Sequence, residues 1–219
     1  MLNDANAAHG WLTPTALTDP AGTWTVSDYE LVLLSIGYSP TDQLSLSATT
    51  IPPITDDVPL WLLFSAKYQL LKQGRLRLAV QGALSYFHDN DSSSSSSDSF
   101  SAGDLGGAAT LCLDDDCNSH VSGFVGAALA RDTNSSVPFV ASGTIVAALG
   151  KHVKLVGEVD SAFIVGKVND VANGALIWYG LRFTSQAVGV DVGFVRPIDV
   201  GDSGLLLGIP VVAISYRDL

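Results

Sequence analysis

Residues 137–163 read VPFVASGTIVAALGKHVKLVGEVDSAF. Phe139, Ala141, Gly143, Ile145, Ala147 and Leu149 form one apolar row, and after Gly150-Lys151-His152 a second follows with Val153, Leu155, Gly157, Val159 and Phe163. Lys154, Glu158 and Asp160 stand in the opposite phase. Side chains alternate faces in an extended chain, so this pattern predicts two strands joined by a short turn. The fold turns on which solvent each face meets.

The same period recurs along the chain. In LWLLFSAKYQLL, Leu60, Leu62, Phe64, Ala66, Tyr68 and Leu70 share one face, and Ser65, Lys67 and Gln69 share the other. RLRLAVQGALSY, from Arg75, sets Leu76, Leu78, Val80 and Leu84 against Arg77 and Gln81. ALIWYGLRFT sets Ile177, Tyr179, Leu181 and Phe183 against Trp178, Gly180 and Arg182. QLSLSATT sets Leu44, Leu46 and Ala48 against Ser45, Ser47 and Thr49. The class predicted is all-β.

Apolar residues make up 47% of the 219 and charged residues only 15%, against a usual charged share of about 25%. Yet no run reaches the roughly 20 apolar residues that a membrane helix needs. A chain this apolar, without such a helix, places its apolar surface on strands. The net charge of −11 argues against nucleic acid as a partner, because phosphate binding needs clustered cations. The N-terminus MLNDANAAHGW has neither a basic start nor an apolar core, so the expectation is a mature chain without its signal peptide. Cys112 and Cys117 bracket LDDD; a tight hairpin brings such a pair close enough for a disulfide, which suits an oxidising compartment.

Short turns fall at 39–42, 72–74, 114–116, 150–152 and 185–186. Longer polar segments fall between them at 52–59, 88–103, 132–138, 167–173 and 199–203. The segment 88–103 carries the low-complexity run DNDSSSSSSDSF, a loop by composition. Alternating short and long connections are the layout of an up-and-down membrane barrel. If TVSDYELVLLSIGY is one strand ending at the turn 39–42, a first strand is expected over about 9–18, joined by TDPAG. The count is then about twelve strands, with ten as the alternative. The expected organisation is an N-terminal tail over 1–8 and one barrel domain over 9–219.

A soluble β-sandwich with its apolar rows packed together is the competing reading. Strand length favours lipid: 11–14 residues exceed the usual sandwich strand and suit a tilted span. The chain resembles bacterial outer-membrane β-barrel proteins over about residues 23–219, by pattern rather than by a residue motif. Aromatics near strand ends (Tyr38, Tyr86, Phe87, Phe139, Phe183, Phe194, Tyr216) match interfacial girdles. The final strand VVAISYRDL alternates Val212, Ile214 and Tyr216, but ends on Leu219, where that class commonly ends on an aromatic residue. The resemblance implies an outer-membrane location in a Gram-negative bacterium. It also implies the lipid bilayer, lipopolysaccharide and the barrel-assembly machinery as partners.

With the apolar rows outward, the lumen-lining set is Lys67, Arg75, Arg77, Gln81, Lys154, Glu158, Asp160, Arg182, Asp191 and Arg217. Arg75, Arg77, Lys154, Arg182 and Arg217 fall near the short-turn end, Glu158, Asp160 and Asp191 nearer the middle. Two functions fit. One is a porin-like passive channel for small hydrophilic solutes, with an acidic outer mouth and a basic inner constriction. The other is a barrel plugged by its own charged side chains, whose loops bind a partner. No catalytic set, metal site or cofactor is expected: His9, His88, His120 and His152 lie near strand ends or turns, and no spacing singles out a nucleophile and base. The expectation is therefore that the chain is not an enzyme.

Overall fold

The computed structural model describes residues 4–30, 33–51, 60–88, 99–130, 137–165, 174–198 and 208–218. Among these, twelve strands close into one antiparallel barrel in which each strand pairs with its sequence neighbours and β1 pairs with β12. The strands are β1 (Trp24–Tyr29), β2 (Leu33–Thr41), β3 (Leu44–Ile51), β4 (Leu60–Gln73), β5 (Leu76–His88) and β6 (Ser99–Cys112). They continue with β7 (His120–Ala130), β8 (Val137–Ala148), β9 (Val153–Val165), β10 (Gly174–Thr184), β11 (Val188–Pro197) and β12 (Ile209–Asp218).

Closure gives the wall a single inside, and its contents decide the solvent question. Leu84, Leu105 and Val125 are 67%, 61% and 58% exposed on the outer face, while Lys154, Glu158 and Arg182 are 2%, 1% and 0% exposed within. This is the reverse of a water-soluble fold, and it rules out the sandwich, whose apolar rows would be covered. In hydrocarbon, closure is also obligatory, because an unpaired edge has no water to satisfy it. At the short-turn rim Trp24, Tyr68, Phe183 and Tyr216 project outward, and the Trp24 ring meets Tyr38 at 4.5 Å. The chain is an outer-membrane-type, all-β barrel, and its outer face is built for a lipid bilayer.

Three sequence-based expectations need correction. The stretch 25–38 is not one strand. It folds back at Glu30, which takes a left-handed φ of 59°, so that Tyr29 pairs with Leu33 and Trp24 with Tyr38. An antiparallel hairpin with this register puts residues of equal parity on the same face, so the alternation runs through the turn unbroken. Residues 9–18 do not form a wall strand; they lie inside the barrel, with only a bridge between His9 and Pro14. The twelfth strand therefore comes from splitting 24–41, not from 9–18. Finally, the 88–103 loop is shorter than expected, because β6 already begins at Ser99 and pairs there with His88; the serine run itself lies outside the described residues.

Replacing an outward apolar residue near mid-strand is expected to cost far more than one at a turn. Val125→Arg should lower stability in bilayers by about 2–4 kcal/mol, read by urea unfolding. Leu149→Arg, at the β8–β9 turn, should change it little. Equal effects would contradict the assignment of the outer face to hydrocarbon.

Candidate functional site

The lumen contains the chain's own N-terminal segment. Residues 4–23 enter beside the start of β1 and fold back on themselves: Gly10 N donates to Thr13 O at 2.8 Å and Thr15 N to Ala8 O at 3.1 Å. Asp4, Asn6, Trp11, Thr15 and Ala16 are fully buried. The segment has no sheet partner, so its backbone must find partners among wall side chains. It does so on two sides.

The first side is ionic. Arg182 on β10 stands directly between Lys154 on β9 and Asp191 on β11. Its guanidinium makes a bidentate pair with Asp191, Nε to Oδ1 at 2.7 Å and Nη2 to Oδ2 at 2.8 Å. It also donates to Asn6 O at 3.0 Å and Gly10 O at 2.5 Å. One carboxylate cannot balance two adjacent buried cations. Asp4 supplies the second, 2.9 Å from Lys154 Nζ and 3.5 Å from Arg182 Nη1. Arg217 is matched by Asp19 at 3.1 Å and donates to Asp4 O at 3.0 Å. Burial alone would raise the Asp4 carboxyl, but Arg182 and Lys154 outweigh it and hold it well below the usual carboxylate range.

At the apex of the fold-back, Glu158 accepts the amides of Trp11, Leu12 and Thr13 at 2.9, 3.0 and 3.2 Å. Thr144 donates its hydroxyl to the same carboxylate at 3.0 Å, and Thr13 donates to Asp160 at 2.6 Å. Three successive N–H groups converging on one carboxylate form an anion nest. Trp11 stacks on Trp178 with centroids 6.3 Å apart and packs against Val146, Val156 and Val211. Its indole fits because Gly180 and Gly193 are bare: a Cβ there would approach it to 2.9 and 2.8 Å. On the far side Lys67 Nζ donates to Ala8 O at 2.7 Å and Thr15 O at 3.2 Å. Gln69 donates to Ala16 O at 2.6 Å, and Ala16 N donates to Thr110 at 2.9 Å.

The segment does not fill the whole lumen. Between the segment and the wall formed by β1–β5 lies a crevice of about 220 Å³, reached by Ser35, Ser45, Ser47, Thr49, Ser65 and Gln81. A second cavity of about 330 Å³ lies at the short-turn end, lined by Asp42, Lys72, Arg77, Asp115 and Asp116 among others. Asp19 lines both.

Of the residues expected in the lumen, Lys67, Lys154, Glu158, Asp160, Arg182, Asp191 and Arg217 thus hold the segment. Gln81 faces the crevice. Arg77 lines the lower cavity and donates to Gly74 O and Leu76 O at 2.6 and 2.9 Å. Arg75 lies at the exposed rim, paired with Asp115 at 2.9 Å, an interaction of small energetic weight. Cys112 and Cys117 are joined by a disulfide across the β6–β7 turn and pack against Ala7 and Leu17 of the segment. Sequence reasoning missed the partners from 4–23. The signals available were the bare inward positions Gly180, Gly189 and Gly193, and a cation row exceeding its nearby carboxylates.

No family model and no curated protein matches the chain. Solved structures do match in fold. The KdgM porin in complex with disordered oligogalacturonate aligns with a TM-score of 0.57 at 10% identity, over 90% of this chain and 97% of that one. LpxR from Salmonella typhimurium aligns with a TM-score of 0.51 at 9% identity, over 89% of this chain and 99% of that one. The expectation that the chain is not an enzyme does not stand: LpxR is an outer-membrane enzyme on a similar barrel, so this architecture carries enzymes as well as porins.

Replacing Arg182 with Met strands Asp4 and Asp191 opposite Lys154 alone. The expected loss is on the order of 3–5 kcal/mol in urea unfolding; a neutral substitution would contradict the ionic account. The docked segment should also loosen in acid. His9 faces Tyr29, Arg182, Asp191 and Lys67, and burial, then Arg182, push its imidazole below the ordinary histidine range. A depressed pKa means the docked state binds fewer protons than the free one. Docking is therefore at full strength above about pH 6.5 and weakens as pH falls, with Asp4 contributing a further loss only at much lower pH. A spin label at Leu12→Cys should gain mobility between pH 7 and 5, and His9→Gln should flatten that phase. Mobility independent of pH would contradict it.

Proposed function

We propose that the protein is a porin-like channel of the bacterial outer membrane, passing small hydrophilic solutes through the part of the lumen its N-terminal segment leaves open. The observation that carries this reading is the pair of cavities that share Asp19 as a lining residue. In this reading solute moves from the crevice past Asp19 to the short-turn end. The fold likeness to the KdgM porin supports it. The five cations assigned to an inner constriction act differently in this reading: Lys154, Arg182 and Arg217 serve the segment, Arg75 lies at the exposed rim, and Arg77 is left beside the route. Contact with lipopolysaccharide at the loop end, and recognition of the outward Val212, Ile214 and Tyr216 row by the barrel-assembly machinery, belong to the same proposal.

A second reading has its own support. The ionic anchoring of Asp4 suits a segment that stays in place and closes the barrel. Planar-bilayer conductance separates the two. The channel reading expects small discrete steps from the intact protein, lowered when Ser47→Trp narrows the crevice. It also expects steps several-fold larger when residues 1–19 are deleted. Steps seen only after the deletion favour the closed barrel. Folded protein silent in both forms would overturn the channel.

A further inference from the structure

The crevice has a chemical character that the ionic side lacks. Its wall hydroxyls are bonded to one another in cross-strand pairs: Ser39 with Ser45 at 2.9 Å, Ser47 with Ser65 at 2.6 Å, and Thr49 with Ser35 at 2.9 Å. A hydroxyl carries one donor and two acceptor sites. Each pair uses one donor and one lone pair, so each retains one O–H donor and several acceptor sites. The wall thus presents donors and acceptors interleaved, on uncharged groups. Two formal charges line the same space, and both are engaged: Lys67 with the carbonyls of Ala8 and Thr15, and Asp19 with Arg217.

Across from this wall the segment presents apolar surface. Leu12 is 47% exposed although it lies in the interior of the barrel, and Leu12, Pro14 and the Tyr29 ring all line the crevice. His9 and Tyr29 tilt against each other with centroids 6.0 Å apart. A space of about 220 Å³, at about 30 Å³ per water, takes about seven waters or one sugar ring. It is smaller than the usual drug-sized pocket.

We propose that this crevice is a binding site for an uncharged polyhydroxylated solute of single-sugar size. The hydroxyl edges of the solute meet the serine and threonine wall, and its C–H face rests on Leu12, Pro14 and Tyr29. Lys67 is buried, with two of its three N–H donors on carbonyls of the segment, so an anionic sugar reaches its charge only by displacing those bonds. Asp19 is held by Arg217. Charge therefore costs desolvation with little return. The inference deepens the channel reading by naming the class of solute and rests on it for the route by which solute arrives.

The test uses the folded full-length protein in detergent, with galactose, galacturonate and galactosamine in its ammonium form as probes that differ chiefly in charge. Saturable galactose binding is expected by calorimetry, with the two charged sugars at least tenfold weaker. Ser47→Ala combined with Ser65→Ala removes both partners of one hydrogen bond, a change that leaves stability nearly unaltered, and should weaken galactose at least tenfold. Galacturonate binding as well as galactose, an unchanged affinity in the double variant, or no saturable binding of any probe would overturn the site. Galactose binding by a protein without conductance would sink the channel and leave the site standing. Conductance without galactose binding would do the reverse.

Discussion

Two cations face each other across β9 and β10. Lys154 and Arg182 are register partners buried in the lumen, and one wall carboxylate, Asp191, stands beside them. Like charges directly opposite destabilise a strand pair, and in a low-dielectric interior the penalty grows. The wall cannot relieve it with its own residues at that height. Asp4 does, reaching both cations from the N-terminal segment. The barrel wall and the segment are therefore one electrostatic unit, and much of the lumen follows from that requirement.

The division of the lumen follows next. On β7–β12 the wall binds the segment through Glu158, Arg182, Asp191 and Arg217, and seats Trp11 against the bare Gly180 and Gly193. On β1–β3 the inward residues are mostly Ser, Thr and Gly, and the longer Tyr29 reaches the segment at His9. Space is left beside the short hydroxyl side chains of β2 and β3. The same segment thus closes one half of the barrel and forms the inner wall of a crevice in the other. Its anchoring is polar and specific: carbonyls and amides of the segment meet matched wall groups at Lys67, Gln69 and Thr110.

The barrel was legible in the sequence because alternation is a local signal. The rows at 60–70, 76–84 and 139–149 show it with no knowledge of partners, and the short turns fixed the strand ends on one side. The hairpin at Glu30 was not legible, since equal parity on both arms preserves the alternation. Residues 9–18 misled for a related reason. The strand expected over 9–18 followed from reading 25–38 as one strand, so it falls with the hairpin at Glu30. The partners of Lys154 and Arg182 were not legible, because ion pairs between Asp4 and Lys154 or Arg182 span about 150 residues or more and leave no spacing to read. The crevice was hidden for the same reason: it is defined by what lies opposite β1–β5.

The account stands or falls on whether the segment is held inside by Glu158. Amide hydrogen exchange resolved by NMR at Trp11, Leu12 and Thr13 measures that hold directly. Protection comparable to the central strands is expected, and it should collapse at these three amides alone when Glu158 is replaced by Gln. Exchange at these amides as fast as in an unstructured tail, in protein whose strands remain protected, would show that the lumen is not filled by this segment.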